Sequence, residues 1–344
     1  MSLSSMEITE VDPFVDDDLA AWLEVMNTVD EHERGAASTT WTLPELVAGA
    51  RHPSKHQLVV RLLGTVDGAP VAAGQVRLPL LDNLSAVDLE VSVLPEHRRR
   101  GLGSQVLARC EGLAREHGRT RFDAMTSWTY DGPPDGAGTS GVEFGKVHGY
   151  VFGLGDVQRE VVLPVDDAVL AELAAEAAER AGSYELRSWA GPFPDDDLLL
   201  SYLELASKLM TEAPMGDNDY EDEAVDVEAH RVHEQMVERQ GRTTFTTVAL
   251  APDGTVAAYT DLMAPSHDTR CVYQWGTLAG RAHRGHRLGL AVKIANLRAL
   301  QATHQYDGRR LVTWNAEVNE HMIGINERMG FVPVARAGEL QKKV

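Results

Sequence analysis

The stretch PFVDDDL at residues 13–19 returns as PFPDDDL at 192–198, with Phe14 and Phe193 standing 179 positions apart. Each copy follows a short strand-like segment (MEITEV, SYELRSW) and opens an apolar-periodic run (LAAWLEVMNTV, LLLSYLELASKLM). Its aspartates fall where a helix dipole favours negative charge. Further landmarks recur at one constant spacing: Asp67 and Asp253 of two Asp-Gly hairpin turns, Gly103 of RRRGLG and Gly289 of RGHRLG, and Trp128 of TSW and Trp314 of VTW are all 186 positions apart. One unit is therefore written twice. Its order is strand, helix, helix, hairpin, long strand, glycine turn, helix, strand, helix, strand, a mixed α/β layer arrangement.

A chain of 344 residues suits two such domains. Residues 165–183 (VDDAVLAELAAEAAERAGS) are alanine-rich and read as a helix linking them, so the expected division is 1–164, 165–183 and 184–344. A second punctuation mark, residues 214–228, holds seven acidic side chains and no Lys or Arg; it reads as a solvated loop, or as a lip that draws cations to the second half.

The net charge of −20 speaks against a general nucleic-acid binder, because a phosphate backbone needs a basic face. A small cationic substrate suits that field, and solubility alone would also account for it. Cys110 and Cys271 occupy non-equivalent places and form no disulfide framework; both read as small core residues. The opening MSLSSMEITEVDPF lacks the basic-then-apolar pattern of an export signal, and no run of about 18 apolar residues occurs. A cytoplasmic protein without a membrane partner is expected.

The chemistry concentrates at the first glycine turn. Val87, Leu89, Val91 and Val93 alternate with Asp88, Glu90 and Ser92, the strand stops at Leu94-Pro95, and EHRRRGLGSQVLARCEGLA enters a helix through Gly101 and Gly103. Glycines let several backbone amides point at one spot, the helix N-terminus adds partial positive charge, and Arg98, Arg99 and Arg100 add full charges. A pyrophosphate fits there.

With strand before, helix after and a near-copy downstream, this turn resembles that of the GNAT acyltransferases, whose glycine turn after the long fourth strand holds the coenzyme A pyrophosphate. The resemblance spans both halves, in the tandem arrangement also found in mycothiol synthase. It implies an α/β fold of two tandem GNAT-like domains, each a mixed, mostly antiparallel sheet flanked by helices. It also implies acetyl-CoA or another acyl-CoA as co-substrate, held by Val91, Ser92, Val93, Arg98, Arg99, Arg100, Gly101, Leu102, Gly103 and Ser104. In the second half the matching residues are Arg284, His286, Arg287, Leu288, Gly289 and Asn319, with Arg287 where the first glycine is expected.

The family places a water-relayed base where Glu90 stands; 186 positions on is Gly276. The family's downstream pattern, an asparagine followed by a tyrosine that serves as general acid, fits NEHMIGINERMGF (319–331) except that Asn326 falls on the tyrosine's position. An amide cannot donate a proton as an acid at neutral pH, though it could hydrogen-bond a leaving thiolate. The first half has neither residue at the expected spacing, leaving Tyr130 and Tyr150 as candidate proton donors. His230 and His233 lack further ligands at metal-site spacing, so no metal is expected.

The leading expectation is an acyl-CoA-dependent N-acyltransferase, with acetyl as the expected acyl group, acting on a small amine by direct transfer in a ternary complex. Two rivals stand beside it: a non-catalytic acyl-CoA-binding or interaction protein with degenerate halves, and acetylation of a protein lysine. Sequence alone leaves the acceptor, the working half and the oligomeric state open.

Overall fold

The computed structural model describes residues 6–52 and 54–344; the first five residues of the opening segment lie outside it. The chain forms two compact units, one of residues 1–157, 216–219 and 334–344, the other of residues 158–215 and 220–333. This differs from the division expected at 165–183. That segment is a helix, α5 (Asp167–Ala181), capped by the Asp166 side chain on the Ala168 N–H, but it packs Leu170, Leu173 and Ala177 into the core of the second unit. Its apolar face binds it there, as an amphipathic helix must.

In the first unit β1 (Glu7–Glu10), β2 (Gln57–Val66), β3 (Ala69–Pro79), β4 (Ala86–Val93) and β5 (Arg121–Thr129) lie in that order. The last strand of the chain, β12 (Val332–Lys343), pairs with β5 from Ala335↔Thr129 to Lys343↔Arg121. β4 and β5 run parallel, and the β1·β2, β2·β3, β3·β4 and β5·β12 pairings are antiparallel. In the second unit β7 (Glu185–Ala190), β8 (Arg242–Leu250), β9 (Val256–Pro265), β10 (Cys271–Ala279) and β11 (Arg310–Ala316) repeat the scheme, with β10 and β11 parallel. Strand β6 (Val151–Val162) gives its last residues to this unit, where Glu160 pairs with Arg310 at 2.9 Å. Each unit therefore takes a closing strand from the other half of the sequence. The mixed, mostly antiparallel sheets flanked by helices are as expected.

Helices cover both sheet faces. In the first unit α1 (Asp16–Arg34) and α2 (Leu43–Arg51) bury Leu19, Trp22, Leu23 and Leu46 against Leu63 and Ala73. On the other face α3 (Leu102–Glu116) packs Val106, Leu107 and Cys110 against Val76, Val87 and Leu89. In the second unit α6 (Asp196–Ala206) buries Leu199 and Tyr202 against Val248 and Tyr259, while α9 (Leu288–Gln301) covers the opposite face. The repeated aspartates sit as expected: Asp16, Asp17 and Asp18 fill the first turn of α1, and Asp195 caps α6 by accepting the Leu198 N–H. No described helix is long and apolar enough to cross a membrane. Both cysteines are free and buried, and burial pushes the Cys110 thiol up to about 12.

Candidate active site

Between β4 and α3 the backbone enters the left-handed region twice, at Arg99 (φ 62°) and Gly101 (φ 80°). Gly101 is the N-cap of α3 and supplies no side chain to its amides; the space over its Cα is open. The uncapped first-turn N–H groups and the helix dipole make an anion site. Arg99 and Arg100 are exposed and meet no carboxylate among the described residues. Arg98 behaves differently. Its guanidinium pairs with Glu33 of α1 at 2.6 Å and donates to the Val93 carbonyl and Ser140 hydroxyl, so it braces the turn and is not free for a ligand. Ser104 is likewise engaged, 3.0 Å from His148 Nε2.

Beside this turn the sheet splays. The parallel β4·β5 pairing ends at Leu89↔Ala124, although β4 continues to Val93 and β5 to Thr129. Val91, Ser92 and Val93 keep their β3 partners and leave their β5-side backbone groups without a strand. Glu90 stands at the mouth of this opening, across from Gln75. Water reaches it, yet surrounding protein crowds the carboxylate and pushes its pKa up, an effect opposed by Arg77, Arg34 and Arg61 and reinforced by Asp30. A base whose pKa moves towards the working pH is a better match for an ammonium proton.

The second turn keeps the backbone and changes the chemistry. Gly285 (φ 87°) and Arg287 (φ 54°) are its left-handed pair, 186 positions after Arg99 and Gly101. Glycine and arginine have exchanged places within one conformation, so the arginine does not distort the turn. Its cations, however, are taken. Arg284 pairs with Glu212 at 2.5 Å, as does Arg281 at 3.1 Å. Arg287 donates to the Glu176 carbonyl and pairs with the Glu176 carboxylate at 3.2 Å, and His286 Nδ1 lies 3.1 Å from the Arg180 carbonyl oxygen. Leu288 is core, and Gly289 opens α9 behind Thr277.

Other expected residues also fall elsewhere. Asn326 is fully buried and donates one amide N–H to Asn315 Oδ1 at 2.6 Å, so it faces the interior and not a solvent-accessible thiolate site. Asn319 caps α10 (Glu320–Arg328), accepting the Met322 N–H. Tyr150 is buried and donates to Glu111, so its hydroxyl is engaged inside the core, and burial and that carboxylate raise its pKa. Tyr130, just past β5, is half-buried under the Arg336 guanidinium, 4.4 Å from its ring centre. His230 and His233 join no group of three or more metal-ligating side chains among the described residues.

Where Glu90 stands in the first unit, the second has a bulge. Gln274 pairs with Leu262 and Thr277 with Thr260, so Trp275 and Gly276 together oppose Asp261. A Cβ on Gly276 would come within 2.9 Å of the Tyr259 hydroxyl, which leaves no room there for a glutamate. The carboxylate has moved one strand over, to Asp261, whose first-unit counterpart is Gln75. Asp261, Trp275 and buried Lys293 are absent from the sequence reading; a lone acid in AAYTDLMAP and a lone lysine in LGLAVKIANL were the signals.

Residues 19–129 match the Acetyltransferase (GNAT) family. No curated protein matches the chain in sequence. Among solved structures, a tandem GNAT protein from the clavulanic acid biosynthesis pathway, solved without AcCoA, aligns with a TM-score of 0.78 at 24% identity over 98% of either chain. A GCN5-related N-acetyltransferase from Sphaerobacter thermophilus aligns with a TM-score of 0.64 at 13% identity, covering 98% of this chain and 95% of its own. Saccharomyces cerevisiae N-myristoyltransferase with bound myristoyl-CoA gives 0.58 at 11% identity over 99% of this chain and 79% of the enzyme. At such identities the structural likeness concerns fold, and here it runs the length of the chain. With the family's pattern in residues 19–129 and its architecture continued through both units, the chain is a tandem GNAT-fold protein.

Proposed function

We propose that the protein is an acyl-CoA-dependent N-acyltransferase whose first unit does the chemistry on a small, cationic amine. The observation that carries this reading is the uncapped start of α3 beside the β4/β5 splay, with Arg99 and Arg100 exposed and, among the described residues, not paired to any carboxylate, Arg100 donating only to the Glu96 carbonyl at 3.0 Å. The amides of Gly101, Leu102 and Gly103 and these two arginines would hold the pyrophosphate. The open β4 edge at Val91, Ser92 and Val93 would hold the amide-bearing arm. Acyl-CoA is the ligand its structural neighbours support: one is described without AcCoA and another with bound myristoyl-CoA.

Bound there, the thioester supplies an activated carbonyl. Glu90 takes a proton from the incoming ammonium, directly or through water, so that the nitrogen lone pair is free to form the amide bond as the carbon–sulfur bond breaks. The unpaired β4 edge offers N–H groups to charge developing on the carbonyl oxygen. Tyr130 is the side chain we assign to give a proton to the leaving sulfur, and the second proton that the nitrogen sheds as the amide forms restores the phenol. In the second unit Arg284 and Arg287 are held by its own acids and no glutamate takes the place of Glu90, which favours a non-catalytic role there.

Calorimetric titration with acetyl-CoA tests this. One site is expected, weakened about tenfold or more in an Arg99→Gln/Arg100→Gln variant, since each charge-assisted contact contributes on the order of 1 kcal/mol. Unchanged affinity in that variant would move the cofactor away from the first turn.

A further inference from the structure

We propose that the second unit has its own binding site for an organic ammonium ion carried on a flat apolar body, with Asp261 as the anion and the exposed Trp275 indole, backed by Tyr273 and Trp314, as the floor. The site does not depend on acyl transfer and is distinct from Glu90.

Asp261 lies on β9, and both of its oxygens are held: Thr246 donates to Oδ1 at 2.7 Å and the Tyr202 hydroxyl to Oδ2 at 2.7 Å. Two neutral donors fix the carboxylate without neutralising it, and a carboxylate retains lone pairs for a third partner. In the first unit Glu90 feels Arg77, Arg34 and Arg61; Asp261 feels no lysine or arginine of this chain among the described residues. A largely enclosed carboxylate is ordinarily paired with a cation. Here the cation is missing from the protein itself.

The residues beside it say what the cation should carry. The β9·β10 register sets Asp261 opposite the Trp275–Gly276 bulge, within cross-strand reach of the indole. Trp275 is 48% exposed. Its ring runs nearly parallel to those of Tyr273 and Trp314, with centroids 6.0 Å from each and planes 25° and 18° apart. Tyr273 and Trp314 are themselves 6.2 Å apart and 12° from parallel. The three rings are offset-stacked, with Tyr273 buried and Trp314 partly buried behind the exposed indole of Trp275, which they hold in place. An aromatic surface beside an uncompensated carboxylate attracts a cation with apolar bulk, through the ring quadrupoles and through apolar contact.

The acidic stretch adds a second negative group. Glu223 acts electrostatically on both Tyr202 and Tyr259, and its N–H is fixed to the Ser207 carbonyl at 2.9 Å. This part of the stretch belongs to the second unit and fits the cation-drawing lip rather than a purely solvated loop.

The test uses the full-length protein with no acyl-CoA present. Binding of 2-phenylethylammonium and of its neutral analogue 2-phenylethanol is followed by tryptophan fluorescence and calorimetry. The ammonium should bind at least about tenfold more tightly than the alcohol. Asp261→Asn should abolish that preference, and Trp275→Ala, at an exposed side chain, should weaken the ammonium by about tenfold. Should Asp261→Asn fail to fold, Glu223→Gln replaces it, with a few-fold loss for the ammonium and none for the alcohol. Equal affinity for the two probes, binding of neither, or a preference untouched by these variants overturns the proposal.

Discussion

Beneath α3 the first unit packs Leu107 and Cys110 against Leu89, with Gly74 letting the helix approach so closely that a Cβ there would meet Cys110 Sγ at 3.0 Å. Beneath α9 the second unit puts Lys293, Asn296, Gln274 and Thr260 in the corresponding places, every one of them buried. The Asn296 amide donates to the Phe245 and Thr260 carbonyls, Gln274 donates to the Thr260 hydroxyl and the Asp261 carbonyl, and Thr260 and Thr277 share a hydrogen bond. The backbone scheme is the same in both. An apolar interface needs only volume and shape, whereas a polar one must satisfy every donor and acceptor, and this one leaves Asn296 Oδ1 without a partner. The repeat therefore specifies the fold through strand pairing and left-handed turns, while side chains inside the same frame have diverged in chemistry.

The same divergence separates the two candidate acids, and it sets the largest expected effect. Glu90→Gln keeps the shape of the side chain but removes a base, so kcat should fall by about 10²- to 10⁴-fold with little change in KM for acyl-CoA. Asp261→Asn should leave kcat for transfer in the first unit unchanged. Steady-state kinetics of the two variants side by side would break the comparison if the effects were reversed or equal.

Lys293 gives the next largest effect. Burial alone pulls its pKa from 10.5 down to about 7, and among the described residues no carboxylate or acceptor meets it. Between those two values the unfolded chain carries a proton that the folded one lacks. Stability should therefore rise with pH from about 7 to 10.5, and below 7 the full cost of a buried charge applies, on the order of 3–5 kcal/mol. Lys293→Leu, which restores the first unit's residue, should stabilise the protein by about 3 kcal/mol at neutral pH and flatten that slope. Urea titrations at several pH values would measure both; a destabilised variant with the slope intact would mean that the lysine is held by something other than burial.

Much of this was legible in the sequence because backbone signals are local. The Asp-Gly turn, the aspartates at helix starts and the glycine turns are each read from a few adjacent letters, and Asp67 and Gly68 do adopt the left-handed pair that a two-residue hairpin requires. What was not legible depends on partners distant in sequence. Arg98 reads as a phosphate ligand until Glu33 and Val93 are seen beside it, and Asn326 reads as a catalytic amide until its full burial against Asn315 is seen. The closing strands illustrate the same limit. β12 carries no letter that distinguishes pairing with β5 from pairing within its own half, so the division at 165–183 was the natural reading of the repeat and the contacts drew a different one.

The smallest effect concerns the two turns themselves. They share one backbone, so what separates them as anion sites is whether their cations are already neutralised. Glu212 is the deciding residue, holding both Arg281 and Arg284 while itself only 9% exposed. Glu212→Gln should free two guanidinium groups at the uncapped start of α9 and raise the second unit's affinity for coenzyme A a few-fold, about 1 kcal/mol for partly exposed charges. In an Arg99→Gln/Arg100→Gln background, calorimetry would isolate that gain. If no second-site binding emerged with Glu212 neutralised, the obstacle would lie in Arg287 and its hold on Glu176 instead, because a guanidinium tied to α5 sits where the first unit has only the open space over Gly101.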